Sequence, residues 1–435
     1  MTKPPELQAR GRLSATERQA APAAGDRAVQ FVAELAAALT RAGEPEGLVQ
    51  PRAARIATVY GVPAVRLVVL PNLTLAAAGR GAPVELDSVP PSEADLRLDQ
   101  MAAVAGVARR ADGGDVQPEQ GLRDLDAAKT MRHRFGAVGI VAGHVAITLG
   151  LCLILQPTPI VLLASAMFGA LVGVMKLRAR SDPTLRVLLP ITAATLVSVI
   201  AFAVAPDETT QESLRALIPP LVTFLPGGLI TSATLDLVTG HLISGSSRLV
   251  AGTMQLLLLT LGIAIGAAMA GVSLDAATTN TPINTLGAWA PWLGAIVFGL
   301  GCYVHFSGPP RSLGWLLLVL LTAWTGEQLG ARLLPDELGA FVGGFVMTPV
   351  AAWVESRPSG PPSLATMMPA FWLLVPGAVS LIGVAQFVGS KDPAGLGHML
   401  DALITFILIG LGVFVGNAVV VHIRSRWAAT SASPA

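Results

Sequence analysis

The chain has 435 residues, of which 52% are hydrophobic and only 13% charged, with a mean hydropathy of +0.63. Soluble domains carry about 25% charged residues, so composition alone points to a membrane protein. A formal net charge of +1 gives no sign of a nucleic-acid partner, and the two cysteines, Cys152 and Cys302, both lie in apolar runs, which argues against a disulfide framework or a thiolate metal site.

Residues 1–27 lack the apolar stretch of a secretory signal and are rich in Pro, Ala and charge, so a disordered cytoplasmic tail is expected there. Residues 28–134 hold most of the acids and read as a small α+β cytoplasmic domain. Val29, Val32, Leu35 and Leu39 repeat at helical spacing, and VQPRAARIATVYG reads as a second helix with Pro51 near its first turn. VRLVVLP, LTLAAAG and PVELDSV then read as short strands, divided by Pro71-Asn72 and by Gly79 to Pro83. A helix is expected to restart at Ser92, a good N-cap, and GLRDLDAAKTMRHR to continue it past the ADGGD turn.

Membrane spans dominate after His133. About ten of them, each ~17–25 residues long, are expected near 135–155, 158–175, 187–205, 217–239, 249–271, 286–306, 312–330, 336–354, 367–389 and 398–421, followed by a tail at 423–435. With residue 134 inside, the inner loops carry Lys176, Arg178, Arg180, Arg186, Arg248, Arg311, Arg357, Arg424 and Arg426, against Arg215, Arg332 and Lys391 outside. That bias follows the positive-inside rule and puts both termini in the cytoplasm.

Two stretches match at one offset. IPPLVTFLPG (218–227) and MPAFWLLVPG (368–377) each place a proline seven residues before a Pro-Gly pair, and LGIAIG (261–266) aligns with LGVFVG (411–416); every match is 150 residues apart. Cys152 and Cys302 share the same offset. A constant offset across five spans implies two copies of one unit, 135–271 and 286–422. Because five is odd, the copies enter the membrane from opposite sides, as inverted repeats.

FLPGGLITSATLDLVTG (224–240) raises the functional question. Pro226 removes an amide donor inside an apolar segment, and Gly227 and Gly228 lower the cost of unusual backbone angles. Freed backbone groups cannot face lipid, so they line a wet cavity or are buried in protein. Half-helix ends suit the charged groups of a zwitterion, and Pro376-Gly377 would supply the second break. Thr231, Ser232 and Ser380 follow the breaks and are candidates to contact a polar solute, although such hydroxyls also bond to their own helix. Asp236, ten residues after Pro226, either meets a substrate ammonium or proton, or is solvated at the interface or paired with Arg248. His144 falls mid-span, where an imidazole relays protons or is simply held in the core. Glu327 and Asp401 sit near outer span ends and are expected to be solvated.

The stretch PGGLITSATLDLVTGHLISGSSR, with Pro226-Gly227, Asp236, Gly240, Ser244-Gly245 and Arg248, resembles the signature of the threonine/serine exporter family. LAAALTRAG, ARIATVYGV and VRLVVLP resemble that family's cytoplasmic domain, and LLVPGAVSL its second membrane half, so the similarity covers roughly residues 28–422. The resemblance implies ten spans, a cytoplasmic N-terminal domain and proton-driven export of small hydroxylated amino acids, with no cofactor. It also marks Gly240, Gly245 and Arg248 as structural or gating positions. Ala378 and Ile382 are apolar where many relatives are more polar or basic, a departure that touches the substrate more than the fold.

Other classes fare less well. The lysines are Lys3, Lys129, Lys176 and Lys391, and none follows a glycine, so no Walker A loop supports a primary pump. As a membrane-anchored hydrolase, residues 28–134 would need to work without a cysteine or a G-x-S-x-G elbow, with His133 as the sole histidine. The acids Glu34, Glu85, Asp87, Asp95, Asp99 and Asp124 read equally well as a solvated face. A passive channel for small polar solutes is the third alternative.

Overall fold

The structure is a computed structural model that describes residues 24–70, 73–78, 84–88, 96–155, 157–204, 210–272, 286–335, 338–374 and 393–431. Most of the expected N-terminal tail, and the second break with Pro376, Gly377 and Ser380, lie outside the described residues.

The N-terminal elements are α1 (Ala24–Arg41), α2 (Glu46–Val59), β1 (Val65–Leu70), β2 (Leu73–Ala78), β3 (Val84–Ser88), α3 (Leu98–Asp112) and α4 (Pro118–Lys129). The strands form an antiparallel sheet in the order β1-β2-β3, with Leu67 opposite Ala76 and Thr74 opposite Asp87. Val29, Val32, Leu35 and Leu39 lie on one stripe of α1 and pack with Ile56, Val69, Val107 and Leu125 into one apolar cluster. Three sequence expectations shift here. Residues 96 and 97 are not helical, and α3 starts at Leu98, where the Arg97 amide donates to the Gln100 side chain at 3.0 Å. A separate helix, α4, follows the turn, because Pro118 sits in its first turn and needs no amide partner. Likewise α2 begins at Glu46, so Pro51 is inside it rather than at its start.

The apolar helices are α5 (Gly136–Ile154), α6 (Pro159–Ala179), α7 (Pro183–Val204), α8 (Thr210–Leu221), α9 (Gly227–Val238), α10 (Leu242–Ala270), α11 (Ala290–His305), α12 (Leu313–Leu333), α13 (Leu338–Glu355), α14 (Ser363–Leu374) and α15 (Pro393–Ser431). By length and hydropathy, six described helices can cross a bilayer: α5, α6, α7, α10, α13 and the Leu403–Arg426 part of α15. The bent pair Ala216–Phe224 and Gly227–Val238, which turns by 50°, is either a seventh, broken span or a re-entrant loop. Ten were expected. Large apolar side chains such as Val138, Ile160, Leu163, Val187 and Ile243 point outward, the reverse of a soluble protein and suited to lipid.

Helix backbones approach closely where glycines line the crossing. On α5, a methyl group at Gly150 would lie 2.3 Å from the Phe298 nitrogen of α11; at Gly301 it would lie 2.4 Å from the Ile147 nitrogen of α5. Small residues of this kind replace hydrophobic driving force in a bilayer. The same device joins α7 to α10 and α13 to α15, and the contacts recur. Gly262 faces the Ile191 carbonyl and Gly412 the Phe341 carbonyl; Gly266 faces Thr195 and Ser198, and Gly416 faces Phe345 and Thr348. Each residue of the second set stands 150 positions after its counterpart (412 − 262, 341 − 191, 416 − 266, 345 − 195, 348 − 198).

Candidate functional site

The break lies at Leu225-Pro226, between a 3₁₀ turn at Val222–Phe224 and the start of α9. Leu225 has extended backbone (φ −72°, ψ 130°), which ends the first half. Pro219 and Pro220 have already weakened that half, since neither offers an amide to the carbonyl a turn earlier. The carbonyls so released do not meet lipid. Ser165 of α6 donates to the Ala216 carbonyl at 3.3 Å, His144 of α5 approaches the Pro220 carbonyl through Nε2 at 3.1 Å, and Gln255 of α10 donates to the Phe224 carbonyl at 2.7 Å. A carbonyl only accepts, so the His144 bond requires the proton on Nε2, and His144 Nδ1 has no partner among the described residues.

Lys176 of α6 donates to the Thr223 hydroxyl and sets its ammonium 4.8 Å from the centre of the Phe224 ring. Cationic and donor groups thus gather at the carbonyl end of the first half-helix, where the helix dipole is negative. Sequence reasoning missed Ser165 and Gln255 and counted Lys176 among inner-loop charges. It lies within α6, which runs on to Ala179. Beyond the break, the N-cap residue of α9, Pro226, supplies no side-chain cap. Thr231 follows, fully buried, its hydroxyl without a partner among the described residues. Gly228 is close to α14, where a methyl group on it would lie 3.0 Å from the Met368 sulfur.

Asp236, Gly240, Gly245 and Arg248 form a second cluster at the other end of α9. Gly240 takes a positive φ of 89°, which lets the amides of Gly240 and His241 return to the Leu237 and Asp236 carbonyls at 3.1 and 2.8 Å in a Schellman turn. At Gly245 a methyl group would lie 2.6 Å from Leu237, so this glycine sets the closeness of α9 and α10. Arg248, expected in a loop, lies within α10 and is buried. Its Nε stands 3.5 Å from Asp236 Oδ2, and its Nη2 donates to the Glu44 carbonyl at 3.3 Å. Asp236 Oδ1 accepts the Glu46 amide at 2.9 Å. Glu46 is the first residue of α2, whose own N-cap, Pro45, supplies no side-chain bond, so a membrane carboxylate caps a helix of the N-terminal segment. Ser244 donates to the Glu46 carboxylate, and His241 Nδ1 lies 3.5 Å from it.

A second contact repeats the pattern. The amide of Leu98, the first residue of α3, donates to the Phe306 carbonyl at 3.1 Å, and Ser307 donates to Asp99 at 2.7 Å. Ser307 holds a positive φ of 55°, strained for a residue with a Cβ, between α11 and α12. His133 Nε2 lies 3.0 Å from the His305 carbonyl, and the His305 ring packs 5.1 Å from that of His144. The two N-terminal helix starts therefore both use membrane-segment acceptors.

Glu44, in the turn before α2, titrates in this interface. Burial pushes its carboxyl up from 4.5 to about 7, against the pull of Arg52, while Glu355 at the end of α13 and Asp112 on α3 push the same way as burial. The folded protein therefore binds more protons than the unfolded chain between those values, so its stability falls as pH rises from about 4.5 through about 7. The melting temperature of the wild type is expected to drop more between pH 5 and pH 8 than that of Glu44→Gln. Equal drops would remove Glu44 as the cause.

Cys152 and Cys302 are buried free thiols. Asp401 is exposed, as expected of a solvated residue; Glu327 is half-buried, and its Oε2 is sealed and unpartnered among the described residues, because α12 turns that oxygen inward rather than toward a loop.

A chain of several apolar helices, one of them broken and lined with hydrogen-bond donors, is a multi-pass membrane protein. The profile of a family described as "Putative threonine/serine exporter" matches residues 30–270, more than half of the chain, and the chain belongs to that family. A curated relative, "Pheromone-regulated membrane protein 10" of Eremothecium gossypii, is 23% identical over 246 residues, which is 52% of this chain and 33% of that protein. The chain thus spans about a third of that relative's length. No solved structure matches the chain.

Proposed function

We propose that the protein is a secondary transporter that exports threonine, serine or similar small hydroxylated amino acids from the cytoplasm in exchange for protons. The observation that carries this reading is the broken helix at Pro226-Gly227, whose freed carbonyls are held by Ser165, His144 and Gln255 from three other helices. Irregular backbone is kept at membrane depth where it serves a site. The start of α9, where Pro226 supplies no side-chain cap, and the Thr231 hydroxyl, unpartnered among the described residues, suit a substrate carboxylate and hydroxyl. Pro376, Gly377 and Ser380 supply the second half of the site in this reading.

The contacts repeated at an offset of 150 residues support two inverted five-helix repeats, 135–271 and 286–422, and with them ten spans, the shorter α11 and α14 included. Charge asymmetry supports cytoplasmic termini in a bacterial-type cell membrane. Residues 28–134 act as a cytoplasmic domain that docks on the inner ends of the spans through Glu46 and Asp99 and regulates access. The capping of α2 by Asp236 favours that regulatory role over hydrolysis, and over direct substrate contact or proton carriage by Asp236.

Purified protein in proteoliposomes loaded with threonine is expected to release it faster under an imposed proton gradient than without one. No gradient-dependent flux of threonine, serine or any other amino acid would overturn the reading. Flux that only ever runs downhill would mark a channel instead.

A further inference from the structure

Glu327 lies in the apolar stretch WTGEQLG of α12, six residues before the helix ends at Leu333. Its Oε2 is sealed from solvent and meets no hydrogen-bond partner among the described residues. Among the described residues, the elements that pack most on α12 are α11, α13 and α14. The titratable groups they carry are Cys302, Tyr303 and His305 on α11 and Glu355 on α13, and none of them meets the carboxyl. On α12 itself, Arg332 is exposed and makes no ion pair with it. One turn earlier on the same face, Trp324 is buried with its indole N–H also unpartnered.

Position gives this acid its meaning. A methyl group on Gly343 of α13 would lie 2.6 Å from the Leu374 side chain and 3.4 Å from Glu327 Cβ, so Glu327 stands beside the last turn of α14. Leu374 precedes Pro376 by two residues, as Phe224 precedes Pro226. In the first half, Lys176 of α6 reaches Thr223 and Phe224. Helix α6 packs on α8 as α12 packs on α14. The corresponding helices therefore each place an ionisable residue beside the turn that precedes a Pro-Gly pair, a base in the first half and an acid in the second. An ionised carboxylate with no counter-charge is costly in apolar surroundings, so membrane proteins that keep an acid there use it to meet a cation.

We propose that Glu327 takes up and releases the proton that is exchanged for the amino acid, a role that rests on the exporter reading above. The substitution Glu327→Gln keeps size and shape and removes the titration, so the variant is expected to fold. It is expected to lose gradient-driven threonine flux in proteoliposomes while retaining exchange of labelled for unlabelled threonine. A lipid-soluble carbodiimide, which attaches to protonated carboxyls in apolar surroundings, is expected to label Glu327 in the wild type. That labelling, located by mass spectrometry, should decline as pH is raised. The proposal is overturned if the variant still transports uphill, if wild-type Glu327 is not labelled, or if exchange is lost together with the gradient response, which would place Glu327 on the substrate ammonium instead. Wild-type protein without gradient-driven flux would overturn the exporter reading itself, and the proton role with it.

Discussion

Replacing Arg248 with alanine is expected to cost about 3–5 kcal/mol of stability and to loosen the N-terminal segment from the membrane helices. Asp236 is fully buried and Arg248 nearly so. Removing the guanidinium strands a carboxylate where water cannot reach it. It also removes the donor to the Glu44 carbonyl, one of the bonds that hold the start of α2 against α9 and α10. Removing both charges together, as Asp236→Asn with Arg248→Gln, is expected to recover much of the loss, because no unpaired ion then remains. Denaturant melts in detergent give the stabilities, and hydrogen exchange at the Glu46 amide gives the docking. A single variant as stable and as protected as the wild type would mean that the pair holds nothing together.

Replacing Gly150 with leucine is expected to prevent assembly of the helix bundle. Overfilling a packed core usually costs about 1–3 kcal/mol, because side chains and backbone can shift. Here the first added carbon already meets the backbone nitrogen of Phe298 at 2.3 Å, and the reciprocal glycine, Gly301, is as tightly placed against Ile147. Neither backbone can retreat without parting α5 from α11. Gly314→Leu on α12 is the control, since nothing stands within 4 Å of its added carbon. Size-exclusion profiles of detergent-solubilised protein should show aggregate for Gly150→Leu and a single peak for Gly314→Leu. A single peak for both would contradict the close crossing.

The sequence carried the break and the strands plainly, and for local reasons. Pro226 with two glycines acts on its own turn, and the divisions at Pro71-Asn72 and Gly79 to Pro83 bound three short runs in the same way. The 150-residue offset of these contacts was legible because LGIAIG and LGVFVG keep the glycines that pack on α7 and α13. Long-range partners were not legible. Lys176 looked like a loop charge because hydropathy falls after residue 175, yet the helix continues and the side chain reaches back to Thr223. Glu46 gave no signal at all, since its amide meets Asp236 across 190 residues of chain. Glu327 looked peripheral because distance from a span end says nothing about which way a helix face turns. Ser165 and Gln255 are ordinary polar residues in apolar helices until the carbonyls they satisfy are in view.

The claim on which the functional reading stands is that the break after Leu225 opens to water during transport. Thr231→Cys, in a chain whose Cys152 and Cys302 are replaced by alanine, tests it most directly. In transporting proteoliposomes a water-soluble thiol reagent should modify this cysteine, and threonine should slow the reaction. A cysteine that stays unmodified from both sides of the membrane while the protein transports would put the solute path elsewhere.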